Sequence, residues 1–209
     1  MIDSVPEKQS PTNMAPTAFG FECGLAVVAG VIAWFLGVSP YRTFGSLSDE
    51  WPKILAWSLV GSLPPLGFLL LFPKLPGAWR EELEIRLDRQ ILPLFALSHP
   101  AELLLVAASA GFAEELMFRG LIQDGIQQAR PDAIGTMLGL VAGSLIFGVL
   151  HTVTRAYAVL ATLMGLYLGG LLLITDSLLV PMLVHTVYDA VAFLILLRGW
   201  KERQARAAN

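Results

Sequence analysis

The sequence predicts an all-α fold: a polytopic membrane helical bundle of about six transmembrane helices, with one amphipathic helix at the interface. Three observations carry this. Apolar residues make up 55% of the 209 and charged residues only 15%, where a soluble domain carries about 25% charge. The mean hydropathy is +0.64. The apolar residues gather into six runs, each near the ~20 residues that a helix needs to cross a bilayer core.

In chain order, residues 1–17 (MIDSVPEKQSPTNMAPT) are polar and proline-rich and read as a disordered cytoplasmic tail. Lys8 is followed by more polar sequence with no evident cleavage site, so this is not a signal peptide and the first apolar run is a retained span. The six spans are placed at 18–38, 54–73, 101–122, 133–152, 157–175 and 179–197. The second contains Pro64 and Pro65 and is expected to kink or break, because proline lacks the N–H that a helix needs. Between the second and third spans, LPGAWREELEIRLDRQI places Trp79, Leu83, Leu87 and Ile91 four residues apart on one helical stripe. Glu82 and Arg86 can pair across one turn of it. An amphipathic helix lying at the interface is the expectation. The fourth and fifth spans are joined by HTVTRA, too short for anything but antiparallel neighbours, and the glycines of GTMLGLVAG and GLYLGG permit close packing. The chain thus divides into a tail (1–17), an N-terminal membrane region (18–97), a core (98–197) and a basic cytoplasmic tail (198–209).

Basic residues set the expected orientation. With both termini cytoplasmic, the inside holds Lys8, Lys74, Arg80, Arg86, Arg89, Arg155, Arg198, Lys201, Arg203 and Arg206. The outside holds only Arg42, Lys53 and Arg130. This is the bias of a multi-pass cell-membrane protein. The net charge of -3 and the lack of a long basic patch give no sign of a nucleic-acid partner. One cysteine, Cys23, excludes an intrachain disulfide and a cysteine-based metal cluster, and reads as a small apolar helix residue.

Charge is costly in hydrocarbon, so ionisable groups within spans usually face a protein interior or wet cavity and serve a function. Glu114, Glu115 and Arg119 lie in PAELLLVAASAGFAEELMFRG, His151 ends LIFGVLH, and His185 and Asp189 lie in VPMLVHTVYDAVAF. Glu115 and Arg119 are four apart and can pair. Glu114 points about 100° away without that built-in partner, the setting that raises a carboxyl pKa toward that of a general base. The alternative is a structural ion network tying helices together. His185 and Asp189 share a helix face and can orient substrate, donate to an oxyanion, supply metal ligands or simply satisfy each other. His99, before Pro100 and three residues from Glu102, reads as part of a helix start. No HExxH is present, so the common helix-borne zinc signature is absent, although two histidines with carboxylates can bind zinc. Neither Cys23 nor a serine sits in a recognisable nucleophile setting.

These residues resemble the CAAX prenyl protease and bacteriocin-processing family, also called the Abi family of membrane proteases. Its EExxxR motif matches Glu114, Glu115 and Arg119; its FxxxH motif matches Phe147 and His151; its third, HxxxN or a relative, matches His185 and Asp189. The resemblance covers roughly residues 98–197 and leaves the first two spans as variable territory. It implies an all-helical membrane core that cleaves peptides or lipidated proteins near the membrane, by a glutamate-dependent mechanism without cofactor or metal. Glu114 and His151 would activate water, and His185 with residue 189 would stabilise the oxyanion. Asp189 departs from the Asn of the better understood members. A charged aspartate repels an oxyanion, unless it is protonated, orients His185 or meets a metal. The alternatives are a zinc-dependent protease, a non-catalytic membrane scaffold or a bacteriocin self-immunity protein.

One geometric tension follows. If all six spans run straight, His151 lies near the cytoplasmic end and His185 nearer the other, and they do not meet. A tilted, broken or re-entrant span is required for a shared site.

Overall fold

A computed structural model describes residues 6–40, 42–44 and 47–207. Residues 1–5 of the expected tail and 208–209 of the basic tail lie outside the described residues. The protein is an all-α polytopic membrane bundle. Its helices are α1 (Ala15–Leu36), α2 (Leu47–Leu71), α3 (Ala78–Arg86), α4 (Pro100–Glu115), α5 (Asp124–Ala129), α6 (Ala133–Leu150), α7 (Arg155–Thr175) and α8 (Leu179–Ala207). Among the described residues, five helices are long and apolar enough to cross a membrane. A sixth crossing is available only as a bent pair, 78–95 with 100–129, which turns through 111°. The expected straight third span at 101–122 is therefore the second limb of a bent unit. Pro100 opens that limb, where a missing N–H costs nothing. His99 and Glu102 close a reciprocal cap there: His99 Nδ1 accepts from Ala101 N–H and Glu102 Oε2 accepts from His99 N–H at 2.6 Å.

Lipid-facing side chains stay apolar: Trp34, Phe35, Leu59, Val149, Leu150 and Ile174 are all well exposed. α2 runs unbroken through Pro64 and Pro65. Pro65 cannot bond the carbonyl of Gly61, and the Tyr167 hydroxyl of α7 donates to that oxygen instead, at 2.7 Å. A neighbouring helix thus replaces the lost backbone bond, as proline-bearing membrane helices require.

The polar segment after α2 forms α3, a π-helical turn at Leu87–Ile91 and a 3-10 turn at Leu92–Phe95. Leu83 is buried, and Glu82 and Arg86 approach to 4.0 Å. This segment gathers both chain ends. Gln9, Thr12 and Met14 donate backbone bonds to Arg89, Pro93 and Leu94. From α8, Trp200 donates to the Asp88 carbonyl, and Arg203 pairs with the Asp88 carboxylate at 2.7 Å. Lys8 donates to Gln204 at 2.6 Å, so the two ends lie on one side of the bundle. The stretch read as a disordered tail is thus tied to the bend over residues 9–14, and α1 already starts at Ala15.

α6 and α7 are the expected antiparallel pair, linked by 151–154. Thr154 caps α7 by accepting from Tyr157 N–H at 3.0 Å. Contact is closest at Gly148, where an added Cβ would lie 1.9 Å from Thr162 Oγ1, and is tight again at Gly165, where one would lie 2.9 Å from Ser144 Cα. α4 and α8 meet as closely at Gly111, where a Cβ would lie 2.3 Å from Thr186 Oγ1.

Candidate active site

α4 does not stop at Glu115. It widens into a π-helical stretch at Leu116–Gln123 and resumes as α5. Such stretches are rare and often mark functional sites. Glu115, at the junction, is fully buried; Arg119, inside the wider turn, is 1% exposed. Arg119 donates to Glu115 Oε1 at 2.8 Å and to the Gly165 carbonyl of α7 at 3.1 Å. Its guanidinium also lies 4.7 Å from the centroid of the Phe147 ring. The expected pair is present, and Gly165 serves it twice: its carbonyl accepts from Arg119 and its missing side chain lets α7 come close.

Phe147 gives FxxxH a physical meaning. Its ring stacks on His151 at 4.2 Å and meets Phe118 edge-on at 5.1 Å. The His151 Nδ1 bonds the Phe147 carbonyl at 2.8 Å. A carbonyl only accepts, so Nδ1 carries the hydrogen and Nε2 is turned to the interior. That Nε2 lies 3.5 Å from Glu114 Oε2.

His185 comes from α8. Its Nδ1 sits 2.9 Å from Glu115 Oε1; its Nε2 lies 3.8 Å from Glu114 Oε2 and 3.5 Å from Asp189 Oδ2. All six candidates, Glu114, Glu115, Arg119, His151, His185 and Asp189, are thus in one connected cluster. It is graded in depth: Glu115 and Arg119 are sealed, His185 and Glu114 are 7% and 12% exposed, and Asp189 and His151 rise to 25% and 28%. Glu114 Oε2 has no hydrogen-bond partner, although two imidazole nitrogens face it. The expectation that Glu114 lacks a close cationic partner is corrected here, since either imidazole becomes one on protonation.

The depth problem is resolved by where α8 begins. Leu178 N–H bonds the Thr43 carbonyl at 2.7 Å, and the Leu178 side chain lies against Gly120, where an added Cβ would be 3.2 Å away. α8 therefore starts level with Gly120, nine residues short of the end of α5, which is roughly 13 Å along the helix at 1.5 Å per residue. His185, two turns into α8, then stands level with Glu115. α6 runs back from the far end of α5, in the same direction as α8, and delivers His151 to the same level.

Sequence reasoning passed over Glu22. It is the single charged residue of α1, yet it is buried, and its Oε2 has no hydrogen-bond partner. The rule applied to Glu114, that charge inside an apolar span needs a reason, would have found it. Cys23, its neighbour, is exposed. Among the described residues no group of three or more His, Cys, Asp and Glu side chains is arranged to hold a metal ion. A broad surface hollow lined by Arg42, Gln128 and Asp132 contains none of the six candidates.

Residues 96–191 match the Rce1-like family. Its description is type II CAAX prenyl endopeptidase Rce1-like, and the matched stretch covers a little under half of the chain, from the bend before α4 to just past Asp189. All six clustered residues fall within this stretch, while α1, α2 and α3 fall outside it. No curated protein and no solved structure matches the chain.

Proposed function

We propose that the protein is a membrane-embedded endopeptidase that hydrolyses a peptide bond with water activated between Glu114 and His151. The observation that carries this reading is the facing of Glu114 Oε2, which has no hydrogen-bond partner, and His151 Nε2, whose other nitrogen is committed to a carbonyl. A water has two hydrogens to donate, and these are two acceptors placed to receive both. Glu114 takes the proton as water oxygen attacks the carbonyl carbon, then returns it to the leaving amine.

The oxyanion falls to His185. With both ring nitrogens protonated, Nδ1 donates to Glu115 and Nε2 donates to the developing charge. Asp189, 3.5 Å from Nε2, is the counter-charge this form requires. Its role is then to hold His185 rather than to contact the oxyanion, which accommodates aspartate where the better understood members carry Asn. Arg119 donates to Glu115 and keeps it aimed, and Glu115 keeps His185 aimed.

The family match supports a substrate that is a peptide or lipidated protein at the membrane, with lipids as surroundings. The positive-inside bias supports both termini on the cytoplasmic side. Glu114→Gln in purified, lipid-reconstituted protein tests the mechanism. It should keep the fold and lower kcat/KM for a cleaved peptide by about 10²–10⁴, the share typical of a general base. Wild-type activity should fall on the acid side as Glu114 takes up a proton. If Glu114→Gln instead lowers folded yield and wild type cleaves nothing, the charges only hold helices together. One tightly bound zinc per chain, whose removal abolishes cleavage and whose return restores it, would replace the metal-free route.

A further inference from the structure

α1 presents one buried stripe to the bundle: Ala15, Glu22, Ala29 and Ala33. Three are alanines, the smallest side chains that let a helix lie close. The fourth is a carboxylate, and it is 8% exposed. Ala29 and Ala33 of the same stripe pack with Leu116, next to Glu115, and with Met182 of α8, so Glu22 faces the side of the bundle from which α4 and α8 supply Glu114, His185 and Asp189. Its Oε2 accepts no hydrogen bond from any described residue. The charges do not balance. The centre holds four carboxylates, Glu22, Glu114, Glu115 and Asp189, against Arg119 and two imidazoles. Arg119 is spent on Glu115. Even with both imidazoles protonated, one negative charge remains in excess. A buried carboxylate needs a donor or a cation, or else takes up a proton, and no described residue donates to Glu22 Oε2.

We propose that Glu22 is a substrate-binding residue, a subsite for the cationic side chain, lysine or arginine, of a peptide entering the cluster. This rests on the reading of the cluster as a peptide-cleaving centre. The bound cation pairs with Glu22 and cancels the excess charge, while the scissile carbonyl lies between Glu114 and His185. The preference is contributed by α1, outside the stretch that matches the family, so it belongs to this chain's own N-terminal region.

The test uses full-length protein in nanodiscs and a series of lipid-anchored fluorescent peptides. Each carries one lysine at successive positions, or norleucine in its place. Binding is measured on protein with Glu114 intact, using peptides N-methylated at their amides to prevent turnover, and cleavage on the same protein with the unmethylated peptides. At one position lysine should bind at least tenfold tighter than norleucine, and Glu22→Gln should remove that gap. Equal binding of the lysine and norleucine peptides at every position overturns the proposal, and this comparison needs no Glu22 variant to fold. A gap that survives Glu22→Gln also overturns it. If peptides are cleaved without a lysine preference, the protease reading stands and the subsite falls. If the preference is present but nothing is cleaved, the subsite stands and the protease reading falls.

Discussion

Arg119→Ala is the most informative single perturbation of stability. The guanidinium is 1% exposed and its carboxylate partner fully buried. Removing it breaks the 2.8 Å bond to Glu115 and the 3.1 Å bond to the Gly165 carbonyl, and it removes the contact with the Phe147 ring. Breaking one side of a buried pair costs about 3–5 kcal/mol, because the remaining charge is left unpaired. The lost carbonyl and ring contacts are part of the same reorganisation and are not added. For a chain of this length each kcal/mol moves Tm by about 2–4 °C, so a drop of about 6–20 °C is expected in detergent melts. Glu114→Gln is the control: Glu114 Oε2 has no hydrogen-bond partner to lose, and the amide keeps the shape. Its Tm should stay within a few degrees of wild type. If Arg119→Ala melts with wild type, Arg119 is not holding its helix to α7, and the account of Glu115 as a buried support for His185 is wrong.

Three further outcomes are expected. Asp189→Asn should retain cleavage within about tenfold, since an amide can still bond His185, whereas Asp189→Leu releases His185, the oxyanion donor, and should lose up to the roughly 10²–10³ seen when such a donor is removed; steady-state kinetics decide. Tyr167→Phe should destabilise α2 by about 1 kcal/mol through the orphaned Gly61 carbonyl, and much less in a Pro65→Ala background, where a backbone N–H returns; a thermal double-mutant cycle that shows no coupling counts against this. Reporter fusions after residues 130 and 176 should both report the outside, and either one found inside overturns the orientation.

Much of the candidate site is local and was legible in the sequence. Glu115 with Arg119, Phe147 with His151 and His185 with Asp189 are each four residues apart on one helix, so periodicity alone puts each pair on one face. Apolar runs of bilayer length likewise announce helices, because unpaired backbone is intolerable in lipid. Periodicity says nothing about the depth at which a helix begins. That was decided by Leu178, held by the Thr43 carbonyl from a distant loop, and it is why His185 reaches Glu115 although straight spans would keep His151 and His185 apart. The same holds for the prolines. Local chemistry predicts a break at Pro65, and the Tyr167 hydroxyl, 102 positions along the chain, repairs it. Residues 9–14 carry a composition that cannot build a core, yet backbone bonds to 89–97 hold them, because a bent helix end offers free carbonyls that no composition rule anticipates. The sequence by itself determined which segments are helices and which side chains pair along them. Only the tertiary structure decided which helices bring their charges to one level, because that depends on hydrogen bonds and close contacts between residues far apart in the chain.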